Sequence, residues 1–370
     1  MPPDPMSAAD RHVVVGMSGG VDSSVASFLL REQGFSVSGI FLLTDDATCQ
    51  ALEDSRAVCR QLGIPFEAID VRDRFRTQVV DAFVDAWLAG LTPNPCVLCN
   101  PTVKFDLLRE AADRLGARWI ATGHYAAVRR TTDNRLGLVQ TDAGRKDQTY
   151  FLYRLGQDLL SRLLLPLADW QKDAVREKAV QAGLIAADGH SLGQKADSQD
   201  ICFIPDGDYP ALIRREAARR HVPVGRLFDP GPVVDPDGKT IGRHKGLLHY
   251  TVGQRKGFEV RTTERLFVLA KQPGTNTLVV GPYGLLFRRR IRLADIAWSG
   301  AARLDDGHRV LARVRSSAAK VAASAWLLPD KTLSVVFDQP TALAAPGQSC
   351  VLYEDRLILA GGIIMDDMSD

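Results

Sequence analysis

The chain has 370 residues, of which 45% are hydrophobic and 24% are charged, an ordinary composition for a soluble globular protein of two or three domains. It contains no run of about 18 apolar residues, and its first ten residues lack the apolar core of a signal peptide, so we expect a cytoplasmic protein without a membrane span. The formal net charge of +2 conceals an uneven distribution, since residues 206–292 hold 17 Lys and Arg against 8 Asp and Glu.

The first half of the chain alternates apolar runs typical of strands with segments of helical spacing. Strands are predicted at 13–15, 37–43, 65–69 and 119–122, and helices at 56–62, 74–88 and 105–115. This alternation predicts an α/β fold with a doubly wound, mostly parallel sheet. Because ligands bind such sheets at the carboxyl ends of the strands, we expect residues 16–24, Leu42, Gly123 and His124 to meet at one edge.

The turn Gly-Met-Ser-Gly-Gly-Val-Asp-Ser-Ser, residues 16–24, lies between the first predicted strand and a helix. Such a turn can lay backbone N–H groups and small hydroxyls around a phosphate at a helix N-terminus. It lacks the Gly-Lys-Ser/Thr ending of a P-loop, and its adjacent glycines do not have the spacing of the dinucleotide fingerprint. The turn resembles the pyrophosphate loop of the ATP-pyrophosphatases, which implies cleavage of ATP into AMP and pyrophosphate with adenylation of an oxygen atom.

The sequence becomes rich in Pro and Gly from residue 206, and short strands are predicted at 266–270, 277–280, 309–314, 333–336 and 349–353. This pattern predicts a small central domain followed by a β-barrel or a sandwich. We place the α/β domain at 10–205, the central domain at 206–286 and the C-terminal β-barrel at 287–370. The basic surplus of the central part indicates either a polyanionic partner, nucleic acid first, or a solvated basic face without a partner.

Three of the six cysteines lie in segments that indicate chemistry. Cys96 and Cys99 lie in a proline-framed loop before a predicted helix, where a thiol can have a lowered pKa and be reactive. Lys104 follows in that helix and can support a thiolate nearby. Cys202 lies in an apolar run flanked by acidic residues, Asp200 among them, which taken alone is more typical of a core residue.

Over nearly its whole length the chain resembles the tRNA-specific 2-thiouridylase family, whose members put sulfur on the wobble uridine of certain tRNAs. The resemblance rests on seven ordered motifs. They are Gly-Met-Ser-Gly-Gly-Val-Asp-Ser-Ser at 16–24, Asn-Pro-x-x-x-Cys-Asn at 94–100, Ala-Thr-Gly-His-Tyr at 121–125, Lys-Asp-Gln-Thr-Tyr-Phe-Leu at 146–152, Ile-Cys-Phe-Ile at 201–204, Gly-Gln-Arg-Lys-Gly at 253–257 and Pro-Gly-Gln-Ser at 346–349.

The resemblance implies a role for each matched residue. Cys99 matches the family's catalytic cysteine, Cys202 matches the cysteine that carries a persulfide, and Asp22 would act with a bound Mg²⁺. The implied ATP site comprises Gly16, Met17, Ser18, Gly19, Gly20, Val21, Asp22, Ser23, Leu42 and Gly123. The implied tRNA contacts are Asn94, Pro95, Cys96, His124, Lys146, Asp147, Gln148, Arg315, Ser316 and Gln348. The implied partners are tRNAs for glutamate, glutamine and lysine, and a sulfur carrier protein fed by a cysteine desulfurase.

The chemistry of the implied reaction calls for these groups. Adenylation makes the C2 oxygen of uridine part of AMP, a good leaving group, while a Mg²⁺ ion bound with Asp22 would neutralise the departing pyrophosphate. A persulfide on Cys202 attacks C2, and Cys99 takes over the remaining sulfur, which leaves a Cys99–Cys202 disulfide for reduction. Access to C2 requires the base to be taken out of its stack.

The chain departs from the family pattern at two positions. Cys96 stands where the family loop commonly has Asp, so Cys96, Cys99 and Cys202 form a set of three thiols. Such a set can hold a 4Fe–4S cluster with one iron open to sulfide, which is an alternative to the persulfide relay. Zinc lacks an obvious fourth ligand. Ser316 stands where the family often has tyrosine, and a hydroxyl cannot stack on a base as a ring can.

Other classes of function stay open. Another ATP-pyrophosphatase, such as a synthetase of GMP or argininosuccinate, would need ammonia or an amine and not sulfur. A tRNA 4-thiouridine or lysidine enzyme is a nearer relative, but the pairing of Cys99 with Cys202 fits 2-thiolation better. An RNA-binding module without catalysis would leave the pyrophosphate loop and both cysteines unexplained.

Overall fold

The computed structural model describes residues 11–45, 48–142, 146–196, 201–260, 264–342 and 344–366. The strands of its first part are β1 (His12–Met17), β2 (Ser36–Leu43), β3 (Phe66–Asp70), β4 (Trp119–Ala121), β5 (Ala127–Arg130), β6 (Leu136–Val139) and β7 (Leu163–Leu164). Five of these strands form a parallel sheet in the order β3-β2-β1-β4-β7. The apolar residues 13–15 are wholly buried at the centre of this sheet, as expected of a parallel strand covered on both faces.

Helices cover both faces of the parallel sheet. They are α1 (Val21–Glu32), α2 (Cys49–Leu62), α3 (Arg72–Phe75), α4 (Asp81–Leu88), α5 (Pro95–Cys99), α6 (Phe105–Arg114), α7 (Thr149–Leu152), α8 (Gln157–Leu160) and α9 (Lys172–Gln181). Single π-helical turns, Arg76–Val80 and Asn100–Lys104, connect α3 to α4 and α5 to α6. Val13 and Val15 belong to the core with α1, α2 and α9, whereas Val14 belongs to the core with α6. Successive side chains of a strand point to opposite faces, so the predicted doubly wound arrangement is confirmed.

The central part contains one α-helix, short 3-10 turns and a mostly antiparallel sheet. Its elements are α10 (Tyr209–Arg219), β8 (Gly231–Val234), β9 (Thr240–His244), β10 (Glu259–Val260), β11 (Leu266–Gln272) and β12 (Thr277–Pro282). The sheet order is β10-β9-β8-β12-β11, and only the pairing of β8 with β12 is parallel. Phe83 and Trp87 of α4 belong to the core beneath this sheet, so the central and α/β domains share apolar packing.

The last part of the chain forms a closed barrel, which confirms the predicted β-barrel. Its strands are β13 (Phe287–Trp298), β14 (His308–Arg313), β15 (Val321–Leu327), β16 (Leu333–Ala342), β17 (Ser349–Glu354) and β18 (Leu357–Ile364). They follow the order β13-β16-β15-β14-β17-β18, and pairing of β13 with β18 closes the ring. The β5–β6 hairpin of the first domain joins this sheet where Val139 pairs with Leu357. None of the helices within the described ranges combines the length and apolar character needed to cross a bilayer.

Candidate functional site

The glycine-rich turn after β1 has a shape that glycine alone allows. Gly19 has φ +68°, and a Cβ atom on it would lie 2.5 Å from the carbonyl oxygen of Ala51. The Ser18 N–H donates to the Ser23 hydroxyl at 3.1 Å, and that hydroxyl donates to the Gly20 carbonyl at 3.2 Å. Gly20 caps α1 without a side-chain hydrogen bond. The first backbone N–H groups of α1 therefore face the carboxyl edge of the sheet, where an anion such as a phosphate can accept from them.

Asp22, in the first turn of α1, is held by two side chains to which the sequence assigned no role. The Tyr125 hydroxyl donates to Asp22 Oδ1 at 2.7 Å, and Lys172 Nζ lies 2.8 Å from both carboxylate oxygens. Lys172 is the first residue of α9 and its side chain is only 11% exposed. No local motif marks Lys172, whereas Tyr125 ends the motif at 121–125. The pair puts a cation beside the turn at which phosphates would bind.

A second lysine fixes the turn from its other side. Lys195 Nζ donates to the Gly19 carbonyl at 2.9 Å and pairs with Asp54 of α2 at 2.5 Å. Burial of the Asp54 carboxyl opposes its ionisation, but hydrogen bonds from Lys195, the Ala187 N–H and Gln50 outweigh burial and lower its pKa. The charged pair therefore ties the turn to α2.

The other residues of the predicted ATP site line the same edge. A Cβ atom on Gly123, just after β4, would lie 2.6 Å from the Asp22 carbonyl carbon and 2.7 Å from the Ser23 nitrogen. Gly123 therefore lets the β4 loop touch the first turn of α1. Met17 and Val21 are buried, and Leu42 of β2 packs against the core on the α6 face. The structure thus brings the turn, Leu42 and Gly123 to the carboxyl ends of three neighbouring strands, while their role in binding ATP stays a prediction.

The short helix α5 presents two of the three predicted thiols. Asn94 caps it by accepting from the Cys96 N–H at 3.2 Å, and Pro95 occupies its first turn. Cys96 is exposed and Cys99 is half-buried, and both are free thiols, as is Cys202. The Asn-Pro sequence at 94–95 therefore explains why α5 begins where it does. Asp200, which lies two residues before Cys202, is outside the described residues.

The three thiols lie close enough to influence one another's ionisation. The packed surroundings of the Cys202 thiol raise its pKa to about 12, and the neighbouring Cys99 and Cys96 add to that increase. Neighbouring protein atoms likewise desolvate the Cys96 and Cys99 thiolates and raise the pKa of both thiols, although Cys96 keeps exposed surface. Cys202 keeps an exposed surface, in contrast to the core position that its apolar sequence context alone would favour. The structure therefore brings together the cysteines of two motifs that are far apart in the chain.

Lys104 connects this thiol cluster to the loop after β4. Its positive charge lowers the pKa of Cys96, Cys99 and Cys202, against the larger effect of burial. Burial and the same lysine lower the pKa of His124 well below its ordinary value, so this imidazole is neutral. His124 Nδ1 lies 2.7 Å from the Thr122 hydroxyl. The thiol cluster therefore lies on the side of the sheet edge that also carries Gly123.

Asp22 is the candidate ligand for the Mg²⁺ that the sequence implies, and both of its carboxylate oxygens lie 2.8 Å from Lys172 Nζ. A carboxylate such as Asp22 is the kind of ligand that Mg²⁺ takes together with substrate phosphates. Within the described ranges, no group of three or more His, Cys, Asp or Glu side chains is arranged to hold a metal ion. We therefore derive no step through an iron–sulfur cluster or zinc, and cluster ligation by Cys96, Cys99 and Cys202 stays a prediction.

The predicted tRNA contacts divide into two groups. Asn94, Pro95 and Cys96 lie with the thiols. The others make contacts within the protein. The Asp147 carboxylate pairs with Arg313 at 2.6 Å, and Gln148 accepts from the Tyr125 N–H at 3.0 Å. The Ser316 carbonyl accepts a hydrogen bond from Arg313, and Gln348 donates one to the Thr92 carbonyl at 2.7 Å. Arg315 lies beside Gly253. Lys146 is half-buried. Contact of these residues with tRNA stays a prediction.

The chain matches three family models and many named proteins along its length. Residues 11–206 match the tRNA methyl transferase HUP domain, residues 223–282 the tRNA methyl transferase PRC-barrel domain, and residues 288–364 the aminomethyltransferase beta-barrel domain. The tRNA-specific 2-thiouridylase MnmA of Clostridioides difficile (strain 630) is 37% identical over 96% of this chain and 98% of that protein. The protein of the same name from Chloroflexus aurantiacus (strain ATCC 29366 / DSM 635 / J-10-fl) is 41% identical over 95% of this chain and 98% of that protein. The one from Methylorubrum populi (strain ATCC BAA-705 / NCIMB 13946 / BJ001) is 42% identical over 97% of this chain and 95% of that protein.

Proposed function

Because the chain belongs to the tRNA-specific 2-thiouridylase family, we propose that it replaces the C2 oxygen of the wobble uridine (U34) of tRNA with sulfur, at the expense of ATP. The observation that supports the proposal is that the loop after β4 contacts the glycine-rich turn through Gly123 and lies within reach of Lys104, whose charge acts on the three thiols. The glycine-rich turn, of a type that can bind phosphate, begins α1. The positive charge of Lys104 acts on the thiols of Cys96, Cys99 and Cys202 and also on His124 of the β4 loop. ATP activation and sulfur attack need such neighbouring sites.

The first step of the proposed reaction activates the uridine. The C2 oxygen attacks the α-phosphorus of ATP, an O–P bond forms, and pyrophosphate departs with the electrons of the broken P–O bond. The α1 N-terminus and Lys172 stabilise the negative charge on the leaving group. Asp22 would hold Mg²⁺, which neutralises phosphate charge when bound. Tyr125 and Lys172 orient that carboxylate toward the turn.

The second step delivers the sulfur. The terminal sulfur of a persulfide on Cys202 attacks C2, and AMP leaves with the original oxygen. The Cys99 thiolate then attacks the Cys202 sulfur, which releases the thiolated base and leaves a disulfide that an external dithiol must reduce. A Cys202 thiol with a pKa of about 12 is almost wholly protonated at neutral pH. In the attack on C2 the nucleophile is the transferred terminal sulfur of the persulfide and not the Cys202 thiolate.

The proposed partners rest on the charge of the central part and on the family resemblance. The surplus of Lys and Arg in residues 206–292 supports binding of a polyanion such as tRNA. We propose tRNAs for glutamate, glutamine and lysine as substrates, a sulfur carrier fed by a cysteine desulfurase as the donor, and the cytoplasm as the compartment. Sulfide held on a 4Fe–4S cluster is the alternative supply.

A thiolation assay tests the proposal directly. The protein, ATP, a persulfide donor and unmodified tRNA are incubated, and the digested tRNA is searched for 2-thiouridine by mass spectrometry. We expect Cys99→Ser and Cys202→Ser to reduce the product at least 10³-fold, roughly the loss of a nucleophilic group. Cys49→Ser, at an exposed cysteine outside the cluster, should keep full activity.

Two outcomes of the assay would contradict the proposal. Full thiolation by Cys202→Ser would remove its assigned role, and a wild-type protein that consumes ATP without thiolating any tRNA would favour another ATP-pyrophosphatase. Iron analysis after anaerobic reconstitution separates the two sulfur supplies, because an active protein without iron excludes the cluster.

A further inference from the structure

The turn of residues 346–349 in the C-terminal barrel carries one of the seven motifs but has no role in the proposed chemistry. It contacts the loop that leads into α5. The Thr92 N–H donates to the Pro346 carbonyl at 2.8 Å, and Gln348 Nε2 donates to the Thr92 carbonyl at 2.7 Å. Both backbone polar groups of Thr92 are therefore bound by the barrel, two residues before Asn94 caps α5.

Gly347 brings the two backbones together. It has φ +90°, and a Cβ atom on it would lie 2.9 Å from Leu91 Cβ and 2.9 Å from the Thr92 nitrogen. The turn is itself fixed to β18, because the Gly347 N–H donates to the Ile364 carbonyl at 2.9 Å and the Ile364 N–H donates to the Gln348 carbonyl at 2.8 Å. The hydrogen-bonded turn of the barrel thus lies against the loop so closely that no side chain fits between them.

The other end of α5 is linked to the same turn indirectly, through residues 150 and 151. Asn100, which is only 2% exposed, follows Cys99 and donates from Nδ2 to the Phe151 carbonyl at 2.9 Å. The neighbouring Tyr150 hydroxyl donates to the Ser349 carbonyl at 2.8 Å. Contacts from both ends of the cysteine helix therefore lead to residues 346–349.

We propose that this turn, here called the barrel brace (residues 346–349), fixes α5 and so positions the Cys96 and Cys99 thiols for reaction. Gln348 and Gly347 are then positioning residues that act through Thr92, whereas family resemblance implies that Gln348 contacts tRNA. The effect of the brace on turnover rests on the proposed thiolation. Its effect on the loop is a property of the free protein.

Hydrogen–deuterium exchange of the free protein tests the brace without tRNA or ATP. Gln348→Glu keeps the length of the side chain but replaces the donor with a carboxylate facing the Thr92 carbonyl. We expect the amides of residues 91–104 to exchange about fivefold faster, the effect of losing one hydrogen bond. Gln339→Glu, at an exposed amide of the same barrel, is the matched control and should leave these amides unchanged. Gly347→Ala should accelerate their exchange more strongly.

Kinetics and tRNA binding separate positioning from direct contact. With Gln348→Glu we expect the kcat for 2-thiouridine formation to fall about fivefold or more, while the Kd for tRNA changes less than twofold. Unchanged exchange in residues 91–104 in both Gln348→Glu and Gly347→Ala would overturn the brace. The brace would also be overturned if the Kd for tRNA rose by the same factor as kcat fell while hydrogen–deuterium exchange stayed unaltered. Faster exchange in a protein that thiolates no tRNA would keep the brace and remove the proposed function.

Discussion

Lys104 ends the π-turn Asn100–Lys104, and its charge acts on the thiols of Cys96, Cys99 and Cys202. For each thiol, burial raises the pKa more than Lys104 lowers it, so this cation increases a thiolate fraction that is small near neutral pH. The sequence indicated Lys104 as support for a thiolate in its own loop. It could not indicate that the same charge reaches Cys202, because that distance depends on how the segment after residue 200 returns to the sheet edge.

Replacement of Lys104 by Met tests this dependence. Loss of the cation should raise the pKa of Cys99 further, which lowers the fraction of reactive thiolate at every pH below that pKa. We expect alkylation of Cys99 by iodoacetamide between pH 7 and 9 to slow by about threefold or more, with its pH profile moved to higher pH. Lys104→Arg keeps the charge and should keep the profile. Peptide mass spectrometry measures both rates, and equal profiles for wild type and Lys104→Met would contradict the expectation.

At the scale of elements, a close approach in the site joins the loop after β4 to the first turn of α1, through Gly123. The sequence predicted both elements and their common edge, because the order strand–turn–helix in a parallel sheet determines which strand ends meet. It did not predict the two π-turns or the contact of Lys172 with Asp22. These features depend on how separate helices pack, which local spacing does not encode.

Gly123→Ala should separate these elements. The added methyl group would lie under 3 Å from Asp22 and Ser23, so either the loop or α1 must move. We expect the Kd for ATP to rise about tenfold and the stability to fall by about 1–3 kcal/mol, a typical cost of overpacking. Gly156→Ala is the matched control, because the space beside Gly156 is open and its φ is −79°. Calorimetry measures both quantities, and wild-type ATP affinity in Gly123→Ala would refute the packing argument.

At the scale of the whole molecule, a buried polar network joins the first domain to the barrel. The Asp147 side chain is 1% exposed and pairs with Arg313 of β14, while the Thr149 hydroxyl donates to the same carboxylate at 2.8 Å. The sequence predicted the order of the domains from apolar runs and Pro–Gly turns. In the barrel it missed β13, whose start is Phe-Arg-Arg-Arg, and β18, which contains Gly361 and Gly362, because both weaken the usual strand pattern. It also missed β15, which is rich in Ala, a residue depleted in strands.

Removal of one partner of this buried pair should lower the free energy of unfolding more than removal of both. Arg313→Met leaves the Asp147 carboxylate without its cation, and we expect the free energy of unfolding to fall by about 3–5 kcal/mol. The double variant Asp147→Asn/Arg313→Met should recover at least half of that loss, since it leaves no buried charge. Urea denaturation followed by fluorescence measures both variants, and equal losses in the single and double variants would show that the pair contributes no charge-dependent stability.

The pairing of β6 with β18 also sets an order of events during synthesis. Strand β6 ends at Val139, whereas its neighbour Leu357 leaves the ribosome roughly two hundred residues later. Until then the end of β6 at Val139 lacks this strand neighbour, and an unpaired strand edge is the kind of template to which other chains add. Strand β18, which is translated long after β6, therefore covers the end of this hairpin at Val139, and a chain that stopped near residue 206 would leave that end without its neighbour.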